Sequence, residues 1–330
     1  MLTKLFVILG LVGQILCVSR CQSDLDQVAL LSDQAQQNEQ AQEEATSPLI
    51  SIQQLKSEIE SNEQLVIIDL GPEKEAYLKG HIPGALFVDW VDDITDLERP
   101  IRYNIASKDK IQKLLRRLGV QKDSQIVLYD DLNSRVSTRM YWTLKYYGLT
   151  NLKVLNGGRP AWTQADFPMQ DDAPQPTASN IVLGAEKSEM AAKLDFVADR
   201  LQNPNVSLID GRPANQYSGA VPGKVFHTGN LHDRLGHIPG AINIFWKDNF
   251  NSDGTFKSVA ELEELYKDVT GSELVVTYCN EGLHAVPPWF VLSELLGHGN
   301  VRVYDSSMVC LLYTSPSPRD RTRYRMPSSA

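Results

Sequence analysis

Gly80 to Trp90 reads GHIPGALFVDW, and Gly236 to Trp246 reads GHIPGAINIFW. The two stretches share G-H-I-P-G-A, four further residues and a Trp, at an offset of 156. Seven matched positions at that spacing mark a chain built from two copies of one unit. Upstream of each copy, an apolar, β-branched run ends in an acid: Leu65 to Ile68 precede Asp69, and Val206 to Ile209 precede Asp210. Tyr77 with Gly80, and Tyr217 with Gly219, follow in the same order. Only the second copy carries an insertion, Ala220 to Leu235, beside a strand end where substrate-facing loops are common. Its Lys224, His227, His232 and Arg234 are candidate positive charges for a site, or simply solvated side chains.

Downstream, each copy continues with an amphipathic helix and a strand. The apolar spacing of Ile111, Leu114, Leu115 and Leu118 predicts a helix over Ser107 to Leu118, before a strand over Gln125 to Tyr129. Leu262, Leu265 and Tyr266 predict a helix over Ser258 to Val269, before a strand over Glu273 to Tyr278. Tyr129 then aligns with Tyr278, which sets Asp130 where Cys279 stands, and Gly148, Asn151 and Val154 match Gly297, Asn300 and Val303 at an offset of 149. Strands alternating with helices predict an α/β fold of two tandem domains, each a mainly parallel sheet flanked by helices. The expected bounds are 48–166 and 183–309, joined across the proline-rich stretch 167–182, which reads as an exposed linker. The same offset predicts a counterpart of Trp162 at position 311, where the sequence has Leu311. The second copy is therefore expected to lack its last helix or turn.

Chemistry concentrates at Cys279. Leu274 to Tyr278 is apolar and β-branched, as suits a strand covered on both faces. Pro287 and Pro288 fit the first turn of a helix, where a missing N–H costs nothing. The thiol thus falls between a strand end and a helix start, and the amides there are expected to lower its pKa. The alternative on this loop alone is a buried cysteine that only packs.

The two ends read differently from the body. Residues 1–21 place Lys4 ahead of an apolar run from Leu5 to Val18, too short for a membrane span and followed by small residues, which predicts an export signal cleaved after Ser19. Cys21 is a candidate lipid anchor, although Arg20 before it departs from the usual small residue. Residues 22–47 are rich in Gln, Glu, Asp and Ser and read as a polar tether. Cys310 to Ala330, CLLYTSPSPRDRTRYRMPSSA, resembles a translated sequencing adapter, so 310–330 is expected to be a non-native tail. A net charge of -9, with no long basic cluster before that tail, argues against nucleic acid as a partner. The four cysteines, at 17, 21, 279 and 310, form neither a disulfide framework nor a metal-ligand spacing.

The doubled GHIPGA motif, the strands ending in Asp69 and Asp210, and the C-x-x-G-x-x-A loop present only in the second copy resemble the tandem-domain rhodaneses, the thiosulfate and 3-mercaptopyruvate sulfurtransferases. The resemblance covers Ser47 to Val309. It implies two tandem rhodanese-like domains, the first catalytically inactive because Asp130 cannot attack sulfur, the second using Cys279 as a persulfide-forming nucleophile. Asn280, Glu281, Gly282, Leu283, His284 and Ala285 would then form the loop around the persulfide, with no cofactor and no metal. His81 and His237 are expected to hold loops, and Gly84 and Gly240 to relieve a turn after Pro83 and Pro239. Related thiolate phosphatases need a longer loop ending in Arg, and none follows Cys279 before Arg302.

The donor is less legible than the reaction. Thiosulfate-specific relatives resemble C-R-K-G at the loop start, whereas this chain has Cys279-Asn280-Glu281-Gly282, and an inward Glu281 would repel a dianion. Gln216 also stands where the family commonly has Arg. Arg212 matches a second arginine of the family and, on that resemblance, is the candidate anion contact, with pairing to Asp210 or a helix end as its alternative role, and His284 is a candidate hydrogen-bonding or proton-transfer group. The expected activity is sulfur transfer from thiosulfate to a thiol or cyanide, with a thioredoxin-like protein as a candidate acceptor. Mercaptopyruvate or a protein persulfide as donor, and a non-enzymatic binding or sensing module, are the competing readings. The expected location is the periplasm, with a membrane tether if Cys21 is lipidated.

Overall fold

The computed structural model describes residues 46–309 except 72, 97–103, 225–228, 230 and 232–234. The export signal, nearly all of the tether, the 310–330 tail and the insertion residues His227, His232 and Arg234 lie outside the described residues. Each copy of the repeat forms a five-stranded parallel sheet flanked by helices. The first contains β1 (Leu49–Ile50), β2 (Leu65–Asp69), β3 (Leu86–Phe87), β4 (Gln125–Tyr129) and β5 (Leu152–Leu155), in the order β1-β5-β4-β2-β3. The second contains β6 (Ala191–Ala192), β7 (Val206–Asp210), β8 (Ile242–Asn243), β9 (Leu274–Tyr278) and β10 (Val301–Tyr304), in the order β6-β10-β9-β7-β8. Asp69 pairs with Tyr129 and Asp210 with Tyr278 at the carboxyl ends of the paired strands, so both repeats open their loops at the same edge.

The expected helices form slightly inside their predicted ends. Ser107 caps Lys108–Arg117 by accepting from the Lys110 amide, and Ser258 caps Val259–Tyr266 through a reciprocal box with Glu261. The GHIPGA motif is architectural in both copies. His81 stacks on Tyr77 with ring centroids 3.9 Å apart and its Nδ1 lies 2.9 Å from the Tyr77 carbonyl. His237 repeats this on Tyr217 at 3.8 Å and 2.8 Å. The two tyrosine hydroxyls donate across the turn to the carbonyls of Ala85 and Ala241. Gly84 and Gly240 turn the chain at φ of 78° and 81°, a region that disfavours side chains.

The repeats share more than a linker. The largest cluster of buried apolar residues runs through both halves, and helices Arg135–Tyr146 and Val286–Phe290 meet at an edge-to-face contact of Tyr141 on Phe290, 5.0 Å between centroids. Equivalent polar bonds cross in both directions: the Phe256 amide donates to Asn156 Oδ1 at 2.9 Å, and the Ile105 amide to Asp305 Oδ2 at 2.7 Å. Residues 167–180 are mostly exposed, while Ile181 and Leu183 are buried, and Leu183 donates its amide to Gln112. The apolar face between the repeats is thus shared, while each repeat keeps a smaller apolar cluster of its own on the far side of its sheet, around Ile67 and Trp162 in the first and around Leu208 and Val276 in the second.

Candidate functional site

All five residues of β9 are buried, and the strand delivers Cys279 to the bottom of its loop with 1% of its surface exposed. The Cys279 amide donates to Ser307 Oγ at 3.0 Å, which fixes the backbone as the strand ends. The sulfur accepts the Gly282 amide at 3.1 Å, and the amides of Glu281 and His284 also point to it. Gly282 makes this loop possible: its φ is 90°, and a Cβ there would lie 2.4 Å from the Asp305 carbonyl oxygen. Pro287 and Pro288 lie in the first turn of Val286–Phe290, where the helix needs no donor from them.

Those amides and the Ser307 hydroxyl pull the thiol's pKa down, yet burial pushes it up and wins, so it lies above the ordinary value. This corrects the sequence expectation of a lowered pKa. Removing the sulfur from water costs the charged form more than the amides return.

The rest of the predicted loop takes specific places. Asn280 Nδ2 donates to Gln216 Oε1 at 2.9 Å, so two positions at which the family resemblance would put arginines hold a neutral pair in contact. Glu281 is buried with 8% exposure and so does not point out to solvent. Leu283 packs against the shared core and Ala285 is fully buried within it. His284 stacks on Trp246, with centroids 5.0 Å apart. Its Nε2 lies 3.1 Å from Arg135 Nη1; arginine only donates, so Nε2 accepts and the ring proton sits on Nδ1. Burial first, then Arg135 and Lys247, drive its pKa down to about 3. His284 is thus a neutral ring at physiological pH, and its candidate role in proton transfer gives way to one of packing and hydrogen bonding.

Arg212, the candidate anion contact, is instead the buried partner of Asp210. Its Nε and Nη2 meet the two carboxylate oxygens at 2.9 Å and 2.6 Å, and Nη2 also donates to the Gly236 carbonyl at 2.8 Å. Lys224 forms an isolated antiparallel bridge with Leu231 within the insertion.

Three groups escaped the sequence reading. Ser307 anchors the Cys279 amide while holding a φ of 47°. Trp246, seen only as a repeat marker, provides the platform for His284. Arg135 comes from the first repeat, with its Cζ 5.7 Å from the Trp246 ring centroid and its charge coupled to Cys279. The signal for Arg135 was present, because it is the counterpart of His284 at the offset of 149.

The equivalent loop of the first repeat has the same design with another occupant. Asp130 receives the amides of Leu132 at 2.7 Å, Val136 at 2.8 Å and Ser137 at 2.7 Å, and burial raises its pKa. A carboxylate there fills the amide cradle that the sulfur occupies in the second repeat.

Comparison with known proteins agrees with this geometry. A model of the rhodanese-like domain matches residues 51–165 and again 193–309. A putative thiosulfate sulfurtransferase of Haloferax volcanii is 34% identical over 245 residues, 73% of this chain and 83% of that protein. The thiosulfate sulfurtransferase of Corynebacterium glutamicum is 32% identical over 253 residues, 76% of this chain and 79% of its own. Among solved structures, SseA of Escherichia coli, described as a 3-mercaptopyruvate sulfotransferase with the rhodanese fold, superposes with a TM-score of 0.67 at 26% identity, covering 79% of this chain and 99% of that one.

Proposed function

The chain belongs to the rhodanese family as a tandem-domain sulfurtransferase, and on that premise we propose that Cys279 carries sulfur as a persulfide taken from thiosulfate. The observation that carries this reading is the ring of amides around the Cys279 sulfur, matched in the other repeat by amides around a carboxylate. Such a ring is built for negative charge. In the first step Cys279 loses its proton to solvent and the thiolate attacks the outer sulfur of thiosulfate. The new bond joins Cys279 Sγ to that sulfur, the sulfur–sulfur bond of the donor breaks, and its electron pair leaves with sulfite. The persulfide anion then rests against the amides of Glu281, Gly282 and His284. In the second step cyanide or a thiol takes the outer sulfur, and the electron pair of the broken bond returns to Cys279 as thiolate.

The relatives named for thiosulfate favour that donor, while the Asn280–Gln216 pair and the buried Glu281 leave the loop's own side chains without a cation. Mercaptopyruvate remains the competing donor, on the likeness to SseA. The first repeat then acts as a catalytically silent wall. The test is intact-protein mass spectrometry of the full chain after incubation with thiosulfate and, separately, mercaptopyruvate. One added sulfur atom on Cys279 with thiosulfate is the expected result. Sulfur from mercaptopyruvate alone would change the donor, and sulfur from neither would end the enzymatic reading in favour of a binding or sensing module.

We also propose export to the periplasm, with Cys21 as a lipid attachment point if the signal is processed there. Support comes from Lys4 and the apolar run that follows it. The mass of the mature N-terminus tests this, and an intact Met1 to Ser19 segment would overturn it.

A further inference from the structure

The Cys279 loop rests on the segment that follows β10, residues 305–309. Ser307 Oγ accepts the Cys279 amide at 3.0 Å, the Met308 amide donates to the Cys279 carbonyl at 3.2 Å, and the Val309 amide to the Asn280 carbonyl at 3.1 Å. Gly282, whose amide meets the sulfur, lies close on Asp305: a Cβ there would fall 2.4 Å from that residue's carbonyl oxygen and 2.7 Å from its Oδ1. The position of this segment therefore sets the position of the cradle. Asp305 ties it to the other repeat. Its Oδ1 meets Arg139 Nη1 at 2.5 Å, and its Oδ2 accepts the Ile105 amide at 2.7 Å. The side chains of Arg139 and Asp305 are 1% and 10% exposed, so water and salt screen this pair little.

We propose that Asp305 is a positioning residue for sulfur transfer, through which Arg139 and Ile105 of the repeat without the thiol hold the Gly282 and Ser307 contacts of Cys279 in place. This rests on the persulfide reading above and gives the first repeat a part in the reaction beyond that of a wall. The two repeats differ at this point in a way that follows the thiol. At the offset of 149, Asp305 corresponds to Asn156 and Arg139 to Pro288. Asn156 keeps the crossing bond, to the Phe256 amide at 2.9 Å, but it is neutral and its opposite number is a proline. Ser307, at a φ of 47°, corresponds to Gly158 at 56°, so the hydroxyl that accepts the Cys279 amide has no equivalent in the first repeat. The plain crossing bond serves both repeats, while the ion pair and the hydroxyl stand at the loop that carries the thiol. A carboxylate suits this place because both of its oxygens face donors. An amide would offer its oxygen to one of them and turn its own N–H groups on the other.

The experiment follows single-turnover persulfide formation by mass spectrometry in the full chain, with whichever of thiosulfate and mercaptopyruvate loads the unaltered protein. It compares Asp305→Asn with Asn156→Ala, the mirror substitution in the first repeat. A displaced cradle predicts a fall of about 10- to 100-fold in the rate at saturating donor for Asp305→Asn, with half-saturation within about threefold of the unaltered chain. Asn156→Ala should leave both values within about twofold. A second readout separates position from charge. Removing a nearby negative charge lowers a thiol's pKa, whereas loosening the amides around the sulfur raises it. The pH dependence of Cys279 alkylation by iodoacetamide should therefore shift upward in Asp305→Asn. Equal rate losses in the two variants, a change confined to half-saturation, a downward shift in the alkylation profile, or unchanged kinetics would each overturn the proposal. If Asp305→Asn does not fold, Arg139→Lys keeps both charges and gives up the fork, so its rate at saturating donor should still fall, and an unchanged rate would overturn the proposal. Failure of the unaltered chain to acquire sulfur from either donor would instead take down the persulfide reading, while the alkylation profile would still report whether Asp305 holds the cradle.

Discussion

The loops at 130–137 and 279–286 are two solutions to one backbone problem. Each follows a buried strand, each turns its amides inward, and each must place an acceptor at their focus. The first repeat places the Asp130 carboxylate there, held by the amides of Leu132, Val136 and Ser137. The second places the Cys279 sulfur there, held by the amides of Glu281, Gly282 and His284. The carboxylate is a permanent occupant, since its two oxygens satisfy the donors from within. The sulfur is one atom with capacity to spare, and the amides around it are left to meet a charge that arrives during reaction. Conserving the cradle while changing its occupant turns a structural device into a reactive one.

Exchanging the occupants is the most direct way to break this comparison. Cys279→Asp puts a carboxylate into the second cradle and is expected to abolish sulfur transfer by more than about 10⁴-fold. The protein should nonetheless unfold cooperatively at a midpoint within about 5 °C of the unaltered chain, because the amides keep an acceptor. A folded variant in calorimetry with no persulfide in mass spectrometry checks both halves. Unfolding at room temperature would show that the two cradles are not interchangeable.

A pH profile sharpens the contrast next. Burial holds the Cys279 thiol above its ordinary pKa of 9.0, so the reactive thiolate is the minor form at neutral pH. Single-turnover persulfide formation should climb about tenfold per pH unit through neutrality and still be rising near pH 9. His284, with its pKa down to about 3, adds no ionisation to that range, so His284→Asn should leave the slope unchanged. A plateau below pH 7 would mean that the amides had already ionised the thiol.

Asp130→Asn tests the silent loop. The amide group turns a donor toward at least one of three backbone donors, which is expected to cost about 1–3 kcal/mol in urea unfolding. No loss of stability would show that the carboxylate is not what the first cradle needs. The smallest effect compares the tyrosines of the doubled motif. Tyr77→Phe and Tyr217→Phe each remove one hydroxyl bond to a turn carbonyl and should cost about 1 kcal/mol, alike in both repeats. A large difference between them would mean that the shared motif bears unequal loads.

Much of this architecture was legible because its signals are local. Leu65 to Asp69 and Val206 to Asp210 form strands where the β-branched runs predicted them. Ser107 and Ser258 cap helices where the spacing placed them. The tandem α/β arrangement follows from those elements and matches the family found by comparison. The shared core was not legible, since the contact of Tyr141 with Phe290 depends on how two helices far apart in the chain meet. For Arg212 the sequence left two roles open, an anion contact on the family match and a partner for Asp210, and the structure takes the second, because which way two side chains two residues apart turn is set by packing.

The sequence by itself determined the repeat, the parallel sheets and the position of the thiol between a strand and a proline-started helix. Turn chemistry, strand patterning and capping act over a few residues, so they can be read along the chain. Tertiary structure alone decided that the thiol's pKa rises and His284 stays neutral, because burial sets both. It also set Arg135 of the first repeat against the Cys279 loop. Arg135 and His284 stand 149 positions apart, and only the packing of one repeat on the other brings their side chains to 3.1 Å.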